Sequence, residues 1–226
     1  MSPRSILLLL PFGQKNSIMI SLKEINVKLR ACISSDYGKI YTWLFFSDIP
    51  YLRKEIKESF PERIPSPDDF RNDYPDFFFD GTAPEKGRSY IILSASGEEV
   101  GHISYTGFHL KPGIGELDIW LSRKKHIKKG FGPAAIRLLA DDLFGSGYGS
   151  LIVRPSVHNE YAIRAYRKAG FYIIKPVLED YYREEYIDLF GKGDWGEGGD
   201  LFMVKTCSGR RSEYISIDGS EWDIRN

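Results

Sequence analysis

Between residues 122 and 133 the chain sets Arg123, Lys124, Lys125, Lys128 and Lys129 just before Gly130 and Gly132, where an apolar-periodic segment begins. Glycines at such a junction let the backbone turn its amides inward, and the start of the following helix carries partial positive charge. Together they make a cradle for a diphosphate that needs no dedicated side chain. Lys128 and Lys129 add cationic charge suited to a polyphosphate. Upstream, Glu116 and Asp118 alternate with Leu117, Ile119 and Leu121. That is the period of a strand with one face in a core and the other toward a cleft, where a carboxylate can take a proton or anchor an amine.

Other chemistries fit less well. Gly130-Phe131-Gly132-Pro133-Ala134-Ala135 also satisfies the dinucleotide pattern G-x-G-x-x-A, and Arg154 would suit a 2′-phosphate. That pattern wants its first glycine directly after a strand, whereas Ser122 to Lys129 intervene here. The glycine-rich stretch from Gly191 to Gly199 has phosphate-loop composition but no strand before it and no helix after it, and reads as a hairpin loop. His102, His109, His126 and His158 lack metal-ligand spacing, so no metal is expected. Nothing resembles a serine or cysteine triad.

Elements that must position these residues follow from periodicity. Ile25, Val27, Leu29 and Ala31 alternate as a strand, and Ser34, Ser35 and Asp36 cap a helix through Ile40, Trp43 and Leu44. From Ser47 to Arg88 the prolines Pro50, Pro61, Pro65, Pro67, Pro75 and Pro84 predict short helices and loops, rich in aromatics. Tyr90–Ser94, Val100–Tyr105 and Gly115–Leu121 read as an antiparallel meander. A helix with the stripe Ile136, Leu139, Ala140 and Leu143 follows, ended by Gly145. Next come a strand at Leu151–Arg154, a helix capped by Asn159 and stopped by Gly170, and strands at Phe171–Ile174 and Leu201–Lys205.

The chain has 226 residues, with 31 Lys plus Arg against 31 Asp plus Glu. A length of this order fits one domain with tails, and zero net charge gives no global pull toward nucleic acid or anionic membrane. Two cysteines, Cys32 and Cys207, make no disulfide framework, so a reducing cytoplasm is the expected location. Arg4 followed by Ile6 to Leu10 has the tone of a secretory signal, but Pro11 cuts the run short. Residues 1–21 read as a flexible leader, 22–206 as the domain and 207–226 as a tail. No apolar run reaches membrane-spanning length.

The segment Asn159-Glu160-Tyr161-Ala162-Ile163-Arg164-Ala165-Tyr166-Arg167-Lys168-Ala169-Gly170-Phe171 closely resembles the N-x-x-A-I-R-x-Y-x-K-x-G-F signature of the GNAT acetyltransferase superfamily. Its spacing from Gly130 and Gly132 is similar too. The resemblance covers about residues 27 to 206, and is strongest from Gly115 to Phe171. Leu29-Arg30, Trp43-Leu44 and Gly115 to Trp120 are close in tone to aminoglycoside 6′-N-acetyltransferases and to ribosomal-protein N-terminal acetyltransferases.

The resemblance implies an α/β fold of the α+β type: a mixed, mostly antiparallel central sheet flanked by helices, with splayed strands holding acyl-CoA. Acetyl-CoA is then the co-substrate, its pantetheine lying against the backbone of Trp120 and Leu121. The amides of Gly130, Phe131, Gly132 and Ala134 would hold its pyrophosphate, with Lys128, Lys129, Pro133, Asn159, Ala162 and Tyr166 also at the cofactor. Ile127 stands where the family has Gln or Arg, and Pro133 lacks an amide proton. Tyr166 matches the acid that protonates the leaving thiolate, and Asp118 the base or amine anchor, with Glu116 in reserve. The aminoglycoside enzymes carry a second acid where this chain has Arg154, so a less anionic acceptor pocket is expected.

Trp43, Asp48, Tyr51, Tyr74, Phe78 and Tyr105 are candidate substrate-binding residues. The implied reaction is direct acetyl transfer to a primary amine of a small molecule, aminoglycoside-like or polyamine-like. Alternatives are a peptide N-terminus, or a decayed acyl-CoA-binding module. Family members are monomers or homodimers.

Overall fold

A computed structural model describes residues 25–194 and 198–207. The expected leader and nearly all of the expected tail lie outside the described residues. Among those described, no helix is long and apolar enough to cross a membrane.

Seven strands form one sheet: β1 (Val27–Ala31), β2 (Gly87–Ser94), β3 (Glu99–Thr106), β4 (Ile114–Leu121), β5 (Ser150–Val153), β6 (Tyr172–Ile173) and β7 (Met203–Thr206). Their spatial order is β1-β2-β3-β4-β5-β7-β6, and every pairing is antiparallel except β4 with β5. A tight turn joins β2 to β3 and a longer connection, Gly107 to Gly113, joins β3 to β4; their left-handed positions fall to Gly97 (φ 83°) and Gly113 (φ 80°), where a side chain would be strained.

Helices cover both faces. On one face lie α5 (Phe131–Gly145) and α6 (Glu160–Lys168). The predicted α5 stripe of Ile136, Leu139, Ala140 and Leu143 is buried against Ile92, Ile103, Leu117, Leu151 and Val153. Burial of each larger side chain contributes about 2 kcal/mol. Gly145 remains inside α5; the left-handed residue that turns the chain is Gly147, at φ 96°.

The opposite face has two separate covers. The proline-broken segment forms α1 (Tyr37–Phe45), α2 (Pro50–Ser59), α3 (Pro67–Asp73) and α4 (Phe77–Asp80). Each break is locally explained. Pro50 and Pro67 occupy first-turn positions, where a missing amide proton costs nothing, and Ser66 and Asp69 form a reciprocal capping pair at 3.1 and 2.9 Å. The aromatics of this segment pack with Cys32, Ile40, Ile91 and Trp120 over the β1–β4 half. Over the other half lie α7 (Leu178–Tyr181) and α8 (Glu184–Phe190), two helices the periodicity did not predict, above Ile152, Phe202 and Val204. The glycine-rich loop joins α8 to β7 and is not the tip of a two-stranded hairpin. A cleft runs between α2 of the first cover and the segment from Ser156 to Arg164 that leads from β5 into α6.

An ion network fastens the first cover. Arg30 on β1 reaches Asp36 at 2.9 Å and Glu99 at 3.0 Å, and Lys39 on α1 reaches the same two carboxylates at 3.2 and 2.7 Å.

Candidate active site

The parallel pair β4–β5 is registered only over Ile114–Glu116 against Ser150–Ile152. Beyond Glu116, β4 continues to Leu121 with β3 on one side and no strand on the other. Its backbone groups on that side are open to one further extended segment, the recognition mode in which a ligand completes a sheet. Trp120 and Leu121 lie on this stretch. The Trp120 ring is buried and packs at a tilt on His102, with ring centres 4.2 Å apart, so the backbone is the part of Trp120 left to meet a ligand. His102 itself is neither exposed nor hydrogen-bonded.

After β4 the basic loop is clamped rather than loosely solvated. Lys125 pairs with Glu98 at 2.6 Å, and His126 bridges Ser122 and Glu98 at 3.0 and 3.1 Å. The Lys124 amide donates to Asp48 at 2.7 Å. Lys128 and Lys129 remain exposed. The backbone is left-handed at Lys128 (φ 61°) and again at Gly130 (φ 84°), the residue before α5. Lys128 is the lone described non-glycine residue with positive φ. Such turns aim successive amides into one hollow, and no side chain caps α5.

Two expected cofactor residues have their amides already committed, one of them, Ala134, expected to offer that amide to the pyrophosphate. Ala134 donates to the Gly130 carbonyl at 3.2 Å, and Ala162 to Asn159 Oδ1 at 3.0 Å. The cradle therefore reduces to the amides of Gly130, Phe131 and Gly132 with the two lysines. Pro133 sits in the first turn, where its missing proton breaks no helical bond. A cavity of about 280 Å³ adjoins this loop, lined by Tyr51, Lys128, His158, Glu160, Tyr161 and Arg164.

At the divergence of the strands the acids separate into two kinds. Glu116 is pinned by Arg154 at 2.7 Å and by His109 at 2.8 Å, and Arg154 also donates to the Phe190 carbonyl of α8 at 2.5 Å. Burial pushes the Glu116 carboxyl upward, but His109 and Arg154 outweigh it and hold the group below the usual range. A carboxylate so stabilised is a poor proton acceptor, which corrects its reserve role as base. Asp118 is different. It opens onto the cleft yet is walled by protein, and desolvation, then the charges of Asp194 and Glu116, push it up to about 6.

Facing it from α2 is Glu55, pushed up to about 7 chiefly by desolvation, with the Asp118 and Glu58 charges adding and hydrogen bonds with Tyr51 and Asn159 opposing. Tyr166 is 5 % exposed, and its phenol is pushed far up by burial and by the Asp118, Glu116 and Glu55 charges. Asp118, Glu116 and Glu55, from β4 and α2, all act electrostatically on the Tyr166 phenol of α6.

The substrate-binding expectations divide. Tyr51 lines the cleft, and Tyr74 places its hydroxyl on Ser104 at 3.1 Å, beside Asp118 in the sheet register. Tyr105 is a correction: strand alternation sends it to the opposite face, where it is buried and its hydroxyl donates to the Pro84 carbonyl at 2.7 Å. Phe78 is buried in the core under Gly87. Trp43 packs on the same core with Lys39 over its ring at 5.9 Å, and Asp48 is occupied by the basic loop. Glu55 was missed. Its available signal was the four-residue spacing from Tyr51, which puts both on one face of α2.

Comparison with known proteins agrees with this geometry. Among curated proteins no sequence relative matches. The crystal structure of aminoglycoside acetyltransferase AAC(6′)-Ib with coenzyme A and kanamycin is similar, with TM-score 0.58 and 24 % identity over 81 % of this chain and 96 % of that one. Spermidine N-acetyltransferase from Vibrio cholerae, with CoA and spermine, gives TM-score 0.55 and 18 % identity over 81 % and 96 %. At these identities the likeness establishes the fold. Residues 26–172 match the family described as "Acetyltransferase (GNAT) domain", and this chain belongs to the GNAT acetyltransferases.

Proposed function

We propose that the protein transfers an acetyl group from acetyl-CoA directly to a primary amine of a small molecule, of aminoglycoside or polyamine type. The observation that carries this reading is the parting of β4 from β5 after Glu116, which leaves the stretch with Asp118, Trp120 and Leu121 unpaired on that side, together with the left-handed turn at Gly130 that opens α5; the Asp118 charge also bears on the buried Tyr166 phenol. Gly130, Phe131, Gly132, Lys128 and Lys129 hold the diphosphate, and the open edge of β4 through Trp120 and Leu121 takes the pantetheine arm.

Transfer needs a neutral amine, and Asp118 takes the proton from the incoming ammonium. The nitrogen then attacks the thioester carbonyl, forming the C–N bond. As the C–S bond breaks, Tyr166 gives its proton to the departing sulfur, and the phenoxide left behind takes the second proton that the acylated nitrogen sheds. Its raised pKa keeps the phenol protonated until that moment. The cleft walls, with Asp118, Glu55 and Asp194 on them, suit a cationic acceptor.

The test is thiol release from acetyl-CoA with a panel of kanamycin, spermidine, 1,4-diaminobutane and short unblocked peptides. Turnover with small amines well above hydrolysis is expected. Coenzyme A binding without amine-dependent release would leave a binding module, and turnover of peptides alone would make the acceptor a protein N-terminus.

A further inference from the structure

We propose that His126 is a positioning residue for the carrier: its buried imidazole sets the turn that presents the Lys128 side chain and the Gly130 to Gly132 amides to the diphosphate. This rests on the acetyl-CoA reading of the cradle and adds to it a residue that does not itself touch the ligand.

The loop from Ser122 to Lys129 exposes Arg123, Lys124, Lys125, Lys128 and Lys129, yet Ser122 and His126 are each 3 % exposed. An imidazole buried in a loop costs desolvation unless its nitrogens find partners, and here both do. Nδ1 meets Ser122 Oγ at 3.0 Å, just past the end of β4, and Nε2 meets Glu98 Oε1 at 3.1 Å, in the turn before β3. The ring stands at 80° to that of Phe131, with centres 6.2 Å apart, and Phe131 opens α5. One side chain therefore ties the end of β4, the β2–β3 turn and the first residue of α5 together.

Between His126 and Phe131 lies the strained part of the loop. Lys128 has φ 61°, a conformation unfavourable for any residue with a Cβ, and Gly130 follows at φ 84°. Strain of this kind persists only where the surroundings hold it in place. His126 is the buried anchor at one end, and Phe131, packed on the core, is the anchor at the other. Asp48 holds the Lys124 amide at 2.7 Å, but from an exposed position and upstream of the turn. So held, Lys128 carries its ammonium 5.3 Å from the centre of the Tyr161 ring, in the wall of the cavity beside the cradle.

The sheet does not depend on this clamp. The Ser122 amide donates to the Val100 carbonyl at 2.9 Å, and the β2–β3 turn closes on itself through the Ser94 amide and the Glu98 carbonyl at 2.8 Å. Loss of the imidazole frees the loop and leaves the strands, so its effect falls on the diphosphate and spares the pantetheine arm along the β4 edge.

The experiment compares wild type, His126→Phe and His126→Gln as full chains, each with its thermal transition recorded. Phenylalanine fills the space without either hydrogen bond, and glutamine keeps an amide for Glu98. Coenzyme A binding is read by calorimetry, and binding of pantetheine, the same arm without the diphosphate, by ligand-observed NMR. His126→Phe should weaken coenzyme A by about tenfold or more, the worth of one hydrogen bond to a charged group, and pantetheine by less than about twofold. His126→Gln should recover most of the difference. Should His126→Phe fail to fold, Ser122→Ala combined with Glu98→Ala removes both partners and leaves the ring, and the same split is expected. Coenzyme A affinity unchanged in these variants, or an equal loss for both ligands, overturns the proposal and leaves the acetyl-CoA reading standing. A wild type that does not bind coenzyme A overturns both.

Discussion

In the proposed reaction Tyr166 and Asp118 need opposite protonation states, and their surroundings favour them. Both are pushed up, but from different starting values. The phenol stays protonated through the alkaline range, while Asp118, at about 6, becomes a base near neutrality. A base works when deprotonated, so kcat/KM should rise with pH through about 6 to 7 and show no fall from Tyr166 below pH 9. Asp118→Asn should remove that acidic limb. Tyr166→Phe should lower kcat by about 100-fold, as loss of a general acid does, and change KM far less. A steady-state pH series on the three proteins checks both. Unchanged kcat in Tyr166→Phe would transfer the acid role elsewhere.

The elements meet at Arg154, which ties β5 to β4 through Glu116 and to α8 through the Phe190 carbonyl. Removing one partner of a buried ion pair strands the other charge, so Arg154→Met should cost about 3 kcal/mol, and Glu116→Gln added to it should recover a large part. Urea midpoints of the single and double variants measure this, and a double variant no better than the single would argue against the pair. The sequence displays the strands, α5, α6 and the glycine turns because their signals are local: period two, period 3.6 and turn chemistry. It hides α7 and α8, four and seven residues long, because each is too short to show a period. It also hides the use of Glu116, whose partner Arg154 lies 38 residues away. Tyr105 lies outside the cleft for a simpler reason: strand alternation puts it on the face opposite Ser104 and Asp118.

For the molecule as a whole, zero net charge conceals segregation: cations gather before α5 and unpaired carboxylates face the cleft. Each ligand therefore finds its own field at short range. Coenzyme A at about 100 times its Kd should stabilise the fold by roughly 2.7 kcal/mol, or about 5 to 10 °C in Tm for a chain this size. Gly130→Ala, strained at φ 84° and directed at Ile25 Cδ1, should reduce that shift. Calorimetric melting curves with and without the carrier decide it. The parting of β4 from β5 has one more consequence. A bare strand edge is ordinarily where polypeptides stick to each other and aggregate. Here the bare edge is internal, hinged shut at Glu116 and Ile152, so the slot admits a single slender chain and excludes the sheet of a neighbouring molecule.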